Sequence, residues 1–230
     1  MHIPDGYLSP QTYIPLFGIF VLAAAVAVKK VKNEVSARNI PYLGMAAAFS
    51  FIVMMFNLPI PGGTTGHAVG SAVIAIIFGP WAAMLAVSVA IIIQALIFGD
   101  GGITAIGANC INMAFFMPFT AYYIFKLFNN DSARKSRVSF SAFIAGYLSL
   151  VMAAILTAIE FGIQPLIASA PDGRALYCPY DLKIAVPAMA IEHMLLFGIV
   201  EGIVTAIIVT FFLKNEPTLI YALRNKRKNE

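Results

Sequence analysis

The chain is 230 residues long, 60% hydrophobic and only 11% charged, whereas a soluble domain carries roughly 25% charged residues. That composition excludes a soluble globular protein and identifies an integral membrane protein. Its apolar runs far exceed the ~10 alternating residues of a β-barrel strand, so the spans are read as helices. The net charge of +4 is not a nucleic-acid signature, because the basic residues sort by membrane side.

The chain opens with Met1-His2-Ile3-Pro4-Asp5-Gly6. No basic stretch precedes an apolar core with a small-residue cleavage site, so no removable signal peptide is expected. His2 is too large for the usual removal of an initiator methionine, so Met1 is expected to keep its amine. The amine, the His2 amide nitrogen and the His2 imidazole then form a five-membered and a six-membered chelate ring around one ion. A deprotonated amide is a strong in-plane donor, which favours square-planar Ni(II) or Cu(II), and less strongly Co(II), over tetrahedral zinc. One equatorial place remains. Of the three histidines, His2, His67 and His193, the best candidate to fill it is His67 in Pro61-Gly62-Gly63-Thr64-Thr65-Gly66-His67, where glycines let the backbone approach an ion. Pro4-Asp5-Gly6 reads as a turn that folds the terminus back over the bundle; Asp5 serves that turn or stands near the ion.

Seven apolar segments follow, over 12–28, 40–58, 66–78, 81–98, 103–128, 139–163 and 184–213. The third, read as a short helix that begins at His67, covers only ~20 Å of a ~30 Å hydrocarbon core and could be re-entrant. Charge favours seven crossings with the N-terminus outside and the C-terminus cytoplasmic. In that layout Lys29, Lys30, Lys32 and Arg38, then Lys126, Arg134, Lys135 and Arg137, then Lys214, Arg224, Lys226, Arg227 and Lys228 lie inside, 13 of the 15 Lys and Arg, leaving only Arg174 and Lys183 outside. The expected fold is a single all-α transmembrane domain over 1–230, with a metal-binding end at 1–6 and a basic cytoplasmic tail at 214–230 near anionic lipid.

Asn57, Gln94, Asn109, Asn112, Glu192 and His193 fall in the outer half of the spans and suggest a polar pocket under the terminus. Hydrogen-bonded ties between helices are the alternative reading of each. Among them Asn109 and Glu192, with Asp5, are the candidates to surround the ion, while His193 is read as packing. On the second segment Gly44 and Ala48, interleaved with Ala46 and Ser50, form small-residue pairs that admit a close helix, within the chain or on a partner. Loop 164–183 is long enough to cap the bundle. Cys110 and Cys178 are read as structural.

The phosphate-binding lysine of a nucleotide loop is absent, since Gly102-Ile103-Thr104-Ala105-Ile106-Gly107 runs into Ala108, so the chain is not its own ATPase. It has no His-Glu-x-x-His and no nucleophile turn around Ser71, which argues against an enzyme. Two rival readings stand beside metal capture at the terminus: a copper channel lined by Met113 and Met117, whose helical spacing also suits packing, and a non-transporting membrane assembly subunit.

Met1-His2-Ile3-Pro4-Asp5-Gly6-Tyr7-Leu8-Ser9 together with Gly62-Gly63-Thr64-Thr65-Gly66-His67-Ala68 resembles the NikM/CbiM family, the substrate-capture (S) components of energy-coupling-factor transporters for nickel and cobalt. The resemblance implies a cell-membrane protein, without a cofactor, that binds Ni2+ or Co2+ as its substrate. Met1 would supply the amine, His2 its amide and imidazole nitrogens, and His67 an imidazole. Ile-Pro-Asp-Gly after Met-His resembles the nickel branch. The resemblance also implies a transmembrane coupling (T) protein, ABC-type ATPase subunits and often a small accessory membrane protein as partners, with the Gly44 and Ala48 face against the coupling protein.

Overall fold

The computed structural model of the chain describes residues 1–34, 40–129 and 135–223; Arg38, Arg134, Arg224, Lys226, Arg227 and Lys228 lie outside the described residues. Among the described residues five helices are long and apolar enough to cross a bilayer. They are α1 (Pro10–Glu34), α4 (Pro80–Phe98), α5 (Ile106–Phe128), α6 (Lys135–Gly162) and α7 (Leu182–Asn215). Two shorter apolar helices, α2 (Ile40–Met54) and α3 (Ser71–Phe78), bring the apolar helical segments to the seven expected. Buried side chains from all of them meet in one core.

Successive helices run in alternate directions, which gathers loops 55–70, 99–105 and 163–181 at the end that holds Met1. Asn57 donates to Asp100 (3.2 Å), Asp5 accepts from Ile103 and Thr104, and Cys178 N–H donates to Tyr7 C=O (3.1 Å). Loop 164–183 therefore does cover the N-terminal segment. Among the described residues Lys29, Lys30, Lys32, Lys126, Lys135, Arg137 and Lys214 mark the opposite helix ends, while Arg174 and Lys183 lie on the Met1 side.

The third segment departs from expectation. Its helix begins at Ser71, so His67 is not helical, and α3 has only eight residues, ~12 Å. The remaining depth is covered by extended chain. Strands β1 (Leu58–Pro59) and β2 (Thr65–Gly66) pair antiparallel, and the backbone from Gly62 to Gly70 descends along α7. Gly62 packs on Ile184 and Ala188, Gly63 on Met189, and Gly66 on the Phe197 ring, while the Val69 and Gly70 amides reach Glu201. Glycine is required at Gly66, where a Cβ would enter the Phe197 ring, and at Gly70, whose φ of 74° turns the chain into α3.

Helices α6 and α7 approach most closely through two glycines. A Cβ on Gly146 would stand 2.9 Å from the Glu201 carbonyl oxygen, and one on Gly202 would stand 2.9 Å from that of Phe143. Overpacking of this kind costs about 1–3 kcal/mol. Gly202→Ala is therefore expected to lower the unfolding temperature in detergent by several degrees, whereas Gly18→Ala, with open space around the new Cβ, leaves it unchanged.

Candidate metal centre

Met1, His2 and Ile3 form a plug, with exposures of 0%, 2% and 0%. The terminus thus lies inside the bundle and not above a polar well. Buried backbone needs partners, and neighbouring elements supply those of the terminal amine, the His2 carbonyl and both polar groups of Ile3. Ile3 N–H donates to Asn109 Oδ1 (2.8 Å), while Asn109 Nδ2 (3.2 Å) and Gly102 N–H (2.8 Å) both donate to Ile3 C=O. Thr64 Oγ1 donates to His2 C=O (2.6 Å). The terminal amine donates to the Thr65 carbonyl and lies 3.4 Å from Thr65 Oγ1.

The predicted turn forms at Pro4 to Tyr7, with Gly6 at φ 82°. Asp5 serves the turn's attachment: its carboxylate accepts from Ile103 N–H (3.1 Å), Thr104 N–H (2.9 Å) and Thr104 Oγ1 (2.5 Å). Burial alone would raise its pKa, but these hydrogen bonds outweigh it and hold the carboxyl below its ordinary range.

The extended leg brings His67 to His2. Their ring centroids are 4.6 Å apart and the planes differ by 24°, a face-to-face stack. His67 Nδ1 lies 3.0 Å from Ala68 C=O, which favours the tautomer with its proton there and leaves the Nε2 lone pair unengaged. Both His2 ring nitrogens also lack hydrogen-bond partners; Nδ1 is 3.4 Å from Asp100 Oδ1 without hydrogen-bond geometry. Gln94 lies beside His2, too loosely for a hydrogen bond, and favours its protonated form slightly.

Burial sets the charge state of the terminal segment. It lowers the terminal amine from 8.0 to about 4 against the opposing attraction of Asp100. It also lowers His2 to about 3, helped by the amine's charge. Amine and His2 ring are therefore neutral at pH 7, the form in which nitrogen binds a metal. Among the described residues no cluster of three or more His, Cys, Asp or Glu side chains forms a metal site.

Other expected residues fall elsewhere. Asn112 binds Thr157 Oγ1 (3.0 Å) and Glu160 Oε2 (2.8 Å), tying α5 to α6. His193 Nδ1 lies 2.7 Å from Met189 C=O and its ring packs on Phe197, so it remains outside the stacked pair. Glu192 is half-buried on α7, and no hydrogen bond or ion pair among the described residues joins it to the terminus or to His67. Gly44 and Ala48 are exposed on the outside of α2, whereas Ala46 and Ser50 face inward. Cys110 and Cys178 are free and buried, and Met113 and Met117 are fully buried packing residues.

Sequence reasoning passed over Thr64, Thr65, Asp100 and Glu201. The threonines lie within the quoted glycine motif. Glu201 carried a legible signal, an acidic residue deep in the last apolar segment.

The family model described as the cobalt uptake substrate-specific transmembrane region, CbiM, matches residues 2–219. The chain is 48% identical over 221 residues to the fused nickel transport protein NikMN of Rhodobacter capsulatus, a match covering 96% of this chain but 64% of that one, less than two thirds of its length. It is 45% identical over 229 residues to the probable fused nickel transport protein LarMN of Lactiplantibacillus plantarum, covering 99% and 69% of the two chains. A crystal structure of a transition metal transporter superposes with a TM-score of 0.90 at 44% identity, covering 97% of this chain and 99% of that one. A match running through both glycine-rich leg and buried terminus, on a multi-pass helical membrane protein, means that the chain belongs to the NikM/CbiM family of metal-uptake proteins.

Proposed function

We propose that this chain is the substrate-capture (S) component of an energy-coupling-factor importer and takes up Ni2+, or Co2+, from outside the cell. The observation that carries the reading is the buried meeting of Met1, His2 and His67, with ring nitrogens that no hydrogen bond engages. The Met1 amine, the His2 amide nitrogen and Nδ1, and His67 Nε2 supply four nitrogens, and capture turns the stacked rings edge-on to the ion. Four strong-field nitrogens in a plane suit Ni(II). The names of both quoted relatives carry nickel and that of the family model carries cobalt; the donor chemistry tips the preference to nickel. Asp5, Asn109 and Thr64 fix the main chain of the chelate instead of touching the ion.

In this reading the bundle crosses the membrane seven times, its extended leg and α3 making the third crossing, with Met1 outside and the C-terminus cytoplasmic. The sorting of lysines to the far helix ends supports that orientation. The chain hydrolyses nothing. A transmembrane coupling protein and ABC-type ATPases, with a small accessory membrane protein, supply the energy. The bare face of α2 around Gly44, where an added Cβ would meet nothing within 4 Å, supports helix docking there.

Inserting one alanine between Met1 and His2 is expected to abolish nickel binding in equilibrium dialysis of the purified chain; wild-type binding by that variant would overturn the chelate. His67→Ala removes the fourth nitrogen and is expected to weaken binding by at least about a hundredfold, beyond the range for outer-shell groups.

Because burial depresses the pKa of the amine and of His2, seating of the terminus is strongest above pH 8.0 and weakens as pH falls toward about 4. Near neutrality the seated site has only the amide proton to lose. Isothermal titration between pH 6.5 and 7.5 is expected to show affinity rising with pH by about tenfold per unit, a one-proton slope, instead of the steeper release of an exposed, protonated chelate.

A further inference from the structure

The extended leg that carries His67 is gripped from two sides immediately after that residue. On one side Glu201 of α7, 1% exposed, accepts from Val69 N–H (2.8 Å) and Gly70 N–H (3.0 Å) through the same oxygen, Oε2. On the other side Ser50 of α2, fully buried, donates to Val69 C=O (2.7 Å). Both polar groups of the Val69 residue are therefore held by side chains from different helices. One carboxyl oxygen that accepts two successive amides fixes the main chain where it turns into α3. The neighbouring Phe49 of α2 packs on Gly70, so the leg can neither slide nor turn without moving α2 or α7.

We propose that Glu201 and Ser50 form a two-sided clamp that positions His67 as the fourth ligand of the captured ion, acting through the Val69 backbone and not by contact with the ion. This rests on the reading of Met1, His2 and His67 as the metal site. Release of either jaw lets the leg retract, and the ion is left with the three nitrogens of the terminal chelate. Ser50 also links the site to the helix that presents Gly44 and Ala48, since Ala48 and Ser50 sit on opposite faces of α2. A partner that displaces α2 therefore pulls on the Val69 carbonyl and loosens the fourth ligand.

The test uses the full chain in detergent, with Ni2+ and Cu2+ as probes, and reads affinity, the visible ligand-field band and thermal unfolding for wild type, His67→Ala, Ser50→Ala, Ser50→Thr, Glu201→Ala and Glu201→Gln. Ser50→Ala and Glu201→Ala are expected to lose about tenfold or more in affinity, as outer-shell changes do, and to shift the band to that of His67→Ala. Ser50→Thr keeps the hydroxyl and Glu201→Gln keeps an acceptor oxygen, so both should retain the wild-type band. A merely structural role would lower the unfolding temperature without moving the band. If Glu201→Ala does not fold, the Ser50 pair decides. A wild-type band and affinity in Ser50→Ala overturns the clamp while leaving the site intact. A wild-type band in His67→Ala, or no binding by wild type, overturns the site itself.

Discussion

Main chain that leaves the helix inside a packed bundle is shut off from water, so its amides and carbonyls call for protein partners. Two such stretches meet in this molecule, the N-terminal plug and the leg from Gly62 to Gly70, and they solve the problem partly by pairing with each other. The Met1 amine donates to Thr65 C=O, and Thr64 Oγ1 donates to His2 C=O. Asn109, Gly102, Ser50 and Glu201 supply further partners, for Ile3, Val69 and Gly70. The same contacts that make irregular backbone tolerable in a bilayer bring His2 and His67 together.

The site's chemistry follows from that enclosure. Exclusion of water disfavours positive charge on the amine and on the His2 ring at once, because each protonated form would repel the other without solvent to screen it. A terminus free in solution would be protonated at neutral pH and would need to shed those protons before binding. On the proposed reading of the site, burial performs that step during folding.

Much of this was legible in the residues. Composition specified a helical membrane protein, and among the described residues each apolar run overlaps one of the apolar helices, although the ends of several shifted by a few residues. Met1, His2 and His67 were identified from chelate chemistry and from the glycines around His67, and the structure places the three in one buried cluster. The third segment was misjudged because hydrophobicity alone cannot distinguish a short buried helix from an extended chain leading into one; the glycines at 62, 63, 66 and 70 were the sign. Glu192 was named as a residue near the ion and Glu201 was passed over; side-chain direction on α7 decides which carboxylate faces the leg. Asp5 was read as serving the turn or standing near the ion, and Asn109 as surrounding it; Asp5 accepts from the 103–104 main chain, and Asn109 holds the main chain of Ile3.

The leg's two jaws come from distant parts of the chain: Ser50 precedes the leg, whereas Glu201 stands near the middle of α7, the last long helix. During synthesis the leg therefore emerges and enters the membrane environment well before one of its two anchors exists. Until the last helix is inserted, the Val69 and Gly70 amides lack their acceptor, and the imidazole they carry has no fixed position. Fixing of the leg is thus one of the final events of folding, and a chain cut short before that helix would be left with unsatisfied backbone at the heart of the bundle.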